Sequence, residues 1–142
     1  MIRHADPRRE WQAEFEALAA RLRAALGPRI RVDHVGSTAV PGLLAKDVVG
    51  AQVIVQSLEP RDTIVKALTP TGFEPRQGAW NMRDQLPAGW RGSAEAWDKL
   101  VFRSEAGEHP GNVHVRRAGS PNERYALLFR DFLRADVNAR DT

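Results

Sequence analysis

The chain has 142 residues, 42% hydrophobic and 27% charged, with a net charge of +3, which suits one ordinary globular domain and excludes a multidomain machine. It contains no cysteine, so thiol nucleophiles, zinc–thiolate sites and disulfide scaffolds are excluded, and at this length one core hides roughly 70% of the unfolded surface without such staples. No apolar stretch approaches the roughly 18–20 residues that cross a bilayer, and Arg3, His4, Asp6, Arg8 and Arg9 precede no signal-peptide core, so the expected location is the cytoplasm with no membrane contact.

Asp6 is placed to cap a first helix with Pro7 at its first position, and Trp11, Phe15, Leu18, Leu22 and Leu26 recur every three or four residues until Gly27-Pro28 ends it. Over 30–35, Ile30, Val32 and His34 alternate with Arg31, Asp33 and Val35, a period of two that predicts a half-buried strand. It runs into the loop Gly36-Ser37-Thr38-Ala39-Val40-Pro41-Gly42. Val48–Val55 is almost continuously apolar and is expected at the centre of a sheet.

Pro60–Leu68 reads as a short helix closed by Pro70, and Gly72-Phe73 starts a third extended piece. Residues 74–98 carry Trp80, Trp90 and Trp97 among Gly78, Pro87, Gly89 and Gly92. That composition predicts a long irregular connection with one turn of helix, of the kind that forms binding or lid segments. Leu100–Arg103 and Asn112–Arg116 read as a hairpin around the turn-rich Gly107–Gly111. Ser120 and Glu123 form a capping box for a last helix, with Pro121 at its first position and a stripe of Tyr125, Leu128, Phe129, Phe132 and Leu133 expected in the core. Asp136 and Asn138 could cap one more helix, so residues 1–142 are expected to form a single domain short of a C-terminal helix. The order of elements predicts an α/β (α+β) domain, a small mixed sheet flanked by helices.

Gly36-Ser37 leaving a strand, followed by the apolar strand 48–55, is the layout of nucleotidyltransferase-like folds, where backbone N–H groups and the hydroxyl meet a phosphate and carboxylates two apart on the next strand hold magnesium. A Gly-Ser pair alone equally suits a turn glycine and a helix cap. His34 suits an inward residue that packs and holds the loop. Asn112, His114 and Arg116 share a strand face that either enters the cleft near Ser37, where Arg116 would suit a phosphate, or lies exposed. Lys46 could reach the same phosphate or lie solvated, and Asp47 is either a weak catalytic candidate or a turn residue. Trp80, Trp90 and Trp97 are stacking candidates for a base, or lid packing.

The run His34-Val35-Gly36-Ser37-Thr38-Ala39-Val40-Pro41-Gly42-Leu43, then Ala45-Lys46-Asp47-Val48-Val49, with Asn112–Arg116, Gly119-Ser120-Pro121 and Leu127–Ala135, resembles the GrpB family of nucleotidyltransferase-like proteins. Lys46-Asp47, Gln52 and Val113–Arg116 most resemble the version fused behind actinobacterial dephospho-CoA kinases, where the domain is regarded as a folding accessory. The resemblance implies a nucleotide or phosphate ligand at Gly36, Ser37, Thr38, Lys46 and Arg116, weak catalytic candidates in Asp47 and His114, and a dephospho-CoA kinase as protein partner. One departure is central: the family carries an aspartate where this chain has Gly50, followed by Ala51 and Gln52. Glycine offers no ligand and Gln52 only a neutral amide, so no metal residue is assigned. Glu74, Asp84 and Asp98 are the distant acidic substitutes. The resulting expectation is a non-catalytic accessory domain with a vestigial phosphate loop. The alternative is a magnesium-dependent transferase using Ser37, Lys46, Asp47 and His114. No Gly-x-x-x-x-Gly-Lys-Ser/Thr loop occurs, which excludes P-loop kinase chemistry, and a charge of +3 gives no case for nucleic acid.

Overall fold

In the computed structural model the described residues are 7–36, 39, 48–106 and 110–135. The first helix, α1 (Pro7–Leu26), buries Trp11, Phe15, Leu18, Ala19 and Leu22 along one stripe. Its end is set by Gly27, whose positive φ of 123° lets its N–H return to the Arg23 carbonyl at 2.8 Å. Asp6, the expected cap, lies outside the described residues.

Five strands follow with three further helices between and after them: β1 (Arg31–Val35), β2 (Val49–Val55), α2 (Arg61–Leu68), β3 (Glu74–Pro75), α3 (Ala79–Met82), β4 (Leu100–Ser104), β5 (Gly111–Arg117) and α4 (Pro121–Ala135). The sheet order is β1-β2-β5-β4-β3. β2 and β5 run parallel, and the other neighbours are antiparallel, so the sheet is mixed as expected.

Strand alternation gives the sheet two chemically different faces. One carries Val49, Ala51 and Val53 of β2, Val113 and Val115 of β5 and Phe102 of β4, packed with the α1 stripe and with Ile64 and Leu68 of α2 into the core. Leu22 and Phe102 are wholly enclosed, and truncating such a leucine to alanine costs about 2–5 kcal/mol. The other face carries Asp33, Gly50, Gln52, Asn112, His114 and Arg116, brought side by side by the registers Asp33↔Gln52, Gly50↔Asn112 and Gln52↔His114.

Three expectations need correction. The 48–55 strand is interior but off-centre; the middle strand is β5, because the 100–116 hairpin joins the sheet on the β2 side. The third extended piece shrinks to Glu74–Pro75, since Gly72 at φ 92° ends a short 3-10 turn over Thr69–Thr71. The stripe on α4 is not core: Tyr125, Leu128, Phe129 and Phe132 are 58%, 64%, 53% and 57% exposed. The helix is amphipathic, but what it buries is its polar first turn, Asn122 and Glu123. The capping box forms with a shift of one residue, the Glu123 N–H donating to Ser120 Oγ at 3.4 Å while the Glu123 carboxylate accepts from Gly119 N at 2.8 Å. Helix α4 is tied to the 34–39 region by Arg130 donating to the His34 carbonyl at 3.2 Å and Arg134 to the Ala39 carbonyl at 2.8 Å. Among the described residues no helix is long and apolar enough to cross a membrane.

Candidate functional site

The polar sheet face becomes a site because the segment between β3 and β4 folds over it. Backbone bonds pin that segment, Asp84 N to the Trp97 carbonyl at 2.9 Å and Lys99 N to the Met82 carbonyl at 3.0 Å. Asp84 is thereby delivered above β5. The irregular stretch has the expected single helical turn, α3, and a 3-10 turn at Ala94–Trp97.

Asp84 is the hub. Its Oδ1 accepts from Lys99 Nζ at 2.7 Å and Arg116 Nη2 at 3.1 Å, and its Oδ2 from Arg116 Nε at 3.1 Å and Asn122 Nδ2 at 2.9 Å. A carboxylate has about four lone-pair sites, so Asp84 is saturated. Burial alone would raise its pKa, but the hydrogen bonds and charges of Arg116 and Lys99 outweigh it and hold it at about 2. Burial pushes the Lys99 ammonium down, partly offset by Asp84.

His114 sits beside this pair, with Nδ1 3.3 Å from Lys99 Nζ. Burial first, then the charges of Arg116 and Lys99, lower its pKa to about 3, so the ring is neutral at physiological pH. An ammonium has no lone pair to offer. Nδ1 must therefore be the acceptor, and the proton sits on Nε2. Such a ring can donate a hydrogen bond but is a poor proton acceptor for catalysis.

Arg116 and Gln52 complete the floor. Arg116 Nη1 donates to Gln52 Oε1 at 2.7 Å, and Gln52 Nε2 reaches Asp33 Oδ2 at 3.2 Å and the Glu123 carbonyl at 3.4 Å. These partners fix the orientation of the amide.

The space between this floor, the 84–88 segment and α4 is a cavity of about 710 Å³. Gly36, Gly50, His114 and Arg116 all line it, with Trp97 and Phe129. The structure brings three of the sequence candidates, Gly36, His114 and Arg116, to this cavity, and Asn112, on the same β5 face as His114 and Arg116, lines it too. Ser37, Thr38, Lys46 and Asp47 lie outside the described residues. Arg116, expected to suit a phosphate, donates here to Asp84 and Gln52. Of the distant acidic substitutes, only Asp84 lines the cavity; Glu74 is on the edge strand β3, and Asp98 pairs with Arg83 at 2.6 Å. His34 packs as expected, stacked on Phe15 with ring centroids 4.5 Å apart, and burial followed by the charges of Arg134 and Arg130 lowers its pKa to about 4.

Gly50 occupies the position where the resemblance calls for a metal-binding aspartate. A Cβ there would lie 2.6 Å from the Val35 carbonyl oxygen and 3.3 Å from its carbon. Gly50 has no side chain to coordinate with, Gln52 is held by Arg116 and Asp33, Asp33 is paired with Arg31 at 2.8 Å and accepts from Gln52, and Asp84 is saturated, so the described residues of this face do not fit a magnesium ion. Among the described residues no group of three metal-ligating side chains occurs.

The model of the GrpB protein family matches residues 1–142. A dephospho-CoA kinase from Mycolicibacterium paratuberculosis is 38% identical over 151 aligned residues, covering 98% of this chain and 37% of that protein. The chain therefore spans about a third of the length of such relatives. The crystal structure of the conserved protein GrpB from Enterococcus faecalis superimposes with a TM-score of 0.67 at 26% identity, covering 90% of this chain and 70% of that one. Cid1, an RNA terminal uridylyl transferase, superimposes with a TM-score of 0.53 at 16% identity over 93% of this chain and 36% of its own, a likeness of fold. The fold is nucleotidyltransferase-like.

Proposed function

The chain belongs to the GrpB family, and from that membership we propose that it is a non-catalytic accessory domain acting on a dephospho-CoA kinase, with a vestigial phosphate loop at Gly36. The observation that carries the reading is Gly50: the carboxylate is missing, and the Val35 carbonyl stands 2.6 Å from the place its Cβ would take. The saturation of Asp84 by Lys99, Arg116 and Asn122 supports it, because the one acidic group among the described residues lining the cavity has no acceptor site to spare for a metal. The neutral His114 supports it again, with Nδ1 occupied by Lys99. The relatives named dephospho-CoA kinase, of which this chain matches about a third, support a kinase of that kind as the partner.

Two measurements test the proposal. The purified chain incubated with each ribonucleoside triphosphate and magnesium should release pyrophosphate no faster than buffer; release proportional to protein concentration would overturn it in favour of the transferase that uses Ser37, Lys46, Asp47 and His114. The same chain titrated into a dephospho-CoA kinase domain during refolding should raise the yield of soluble kinase. An unchanged yield would remove the accessory role.

A further inference from the structure

Helix α4 buries its polar first turn and turns its apolar stripe to solvent. Tyr125, Leu128, Phe129 and Phe132 recur at i, i+3, i+4 and i+7, so they form one row along the helix, and each is more than half exposed. The row continues past the helix end: Tyr125 is stacked with Phe129 at 6.2 Å and meets Trp97 edge-on at 6.3 Å, and Trp97 meets the exposed Trp90 at 5.4 Å. Single exposed apolar side chains are ordinary. Four large ones in a row make a patch of roughly 400–500 Å², a size at which a surface marks an interaction site.

The arrangement of the row fits a second copy of the same chain. Its spacing is that of the seam between two helices packed at a shallow angle. The midpoint falls between Leu128 and Phe129, so antiparallel pairing about a two-fold axis there sets Tyr125 against Phe132 of the second copy and Leu128 against Phe129 of the second copy, each contact made twice. The charges at the edge agree. Arg124 and Asp131 are both exposed, carry opposite signs and lie seven residues apart, which puts them two turns from each other on the flank beside Leu128. Antiparallel pairing brings Arg124 of each copy towards Asp131 of the other, with an offset of about 3 Å along the axis that an arginine spans. Parallel pairing would set arginine against arginine. Asp131 accepts from the adjacent Arg130 at 3.0 Å, and a carboxylate with about four acceptor sites has room for a second cation. Such self-complementarity is what a closed dimer requires and an unrelated partner does not.

We propose that the chain forms a two-fold homodimer through α4, with Tyr125, Leu128, Phe129 and Phe132 at its centre and reciprocal Arg124–Asp131 pairs at its edge. The row supplies about half of the roughly 800 Å² that a standard interface takes from each partner, so the dimer is weak, with a dissociation constant on the order of 10–100 µM. The accessory reading stands or falls separately: a dimer that leaves the kinase yield unchanged sinks only that reading, and a monomer that raises the yield sinks only this one.

The test is sedimentation velocity of the full chain in low salt from about 1 to 500 µM, a range that brackets this dissociation constant. The expected result is a mass rising towards twice that of one chain. Leu128→Glu and Phe132→Glu should each weaken association about tenfold or more. Both replace side chains that lie mostly in solvent, so the dilute variants should melt within about 2 °C of the parent. Arg124→Asp and Asp131→Arg leave the apolar row untouched; each should weaken association about threefold or more by setting like charges together, and the double variant should return to within about twofold of the parent because the pairs re-form with signs exchanged. A chain that stays monomeric at the highest concentration, association indifferent to Leu128→Glu and Phe132→Glu, or a double variant no better than its single parents would each overturn the proposal. A monomer that a dephospho-CoA kinase domain binds, with that binding lost in Leu128→Glu, would overturn it too and assign the face to the kinase.

Discussion

Gly50→Ala separates two accounts of the polar sheet face. In an ordinary extended segment this substitution stabilises by about 0.4–1 kcal/mol, because alanine has less backbone freedom to lose. Here the added methyl would sit 2.6 Å from the Val35 carbonyl oxygen, and the obstacle is backbone. The paired residues Val35 and Gly50 must move apart at the end of β1, a strain typical of overpacking at about 1–3 kcal/mol. For a chain of this size each kcal/mol shifts the melting temperature by about 2–4 °C. Gly50→Ala should therefore melt about 2–12 °C below the parent, read by urea and thermal denaturation followed through tryptophan fluorescence. Gly111→Ala is the control, since its methyl would press on the Leu18 Cδ atoms, at 3.2 and 3.3 Å, which are side-chain ends, and would meet backbone only at an ordinary 3.7 Å from the Val49 carbonyl oxygen. If Gly50→Ala were as stable as the parent or more so, the strand end would have room for a side chain and the argument from Val35 would fail.

Acid should weaken the fold before the carboxylates titrate. His34 and His114 have folded pKa values near 4 and 3, below the ordinary 6.5, so the unfolded chain binds more protons in between and stability falls as pH drops below 6.5. At pH 5 the loss is at most about 2 kcal/mol per histidine, and an unchanged urea midpoint between pH 7 and pH 5 would contradict it. Arg116→Met leaves the half-buried Asp84 with Lys99 and Asn122 alone and Gln52 Oε1 without its donor, and should cost about 1–3 kcal/mol; adding Asp84→Asn should recover part of it, and strict additivity in this double-mutant cycle would refute the coupling. Glu123→Ala removes the acceptor of Gly119 N and should cost about 1 kcal/mol in urea unfolding.

Local periodicity made most elements legible. The α1 stripe, the alternation of β1, the 100–116 hairpin and the start of α4 are each written in residues at most four apart, and they form where expected. The face shared by Asn112, His114 and Arg116 was legible for the same reason. The hub was not. Lys99 and Arg116 meet Asp84 across 15 and 32 residues of chain, a distance no periodicity spans. Asp84 had no local signal beyond being one acid among several in an irregular stretch. Lys99 and Asn122 were missed outright, although Asn122 directly follows the helix-start signal of Ser120-Pro121. The α4 stripe failed for a different reason: spacing shows that a helix has an apolar side, but whether another element covers that side depends on the rest of the fold.

Gln52 shows why the loss at Gly50 is not a single step from reversal. Its amide works between two charged groups of opposite sign, giving Nε2 to Asp33 and receiving Arg116 Nη1 on Oε1. A glutamate in its place would set a second carboxylate against Asp33 at the 3.2 Å now spanned by a hydrogen bond, and like charges at that distance cannot both ionise cheaply. It would also draw Arg116 away from Asp84, whose saturation depends on that guanidinium. Restoring a carboxylate at 50 meets the Val35 carbonyl, and restoring one at 52 meets Asp33 and disturbs the Asp84 hub. The neutral amide is therefore what lets the face hold two carboxylates, donating to Asp33 and sharing Arg116 with Asp84.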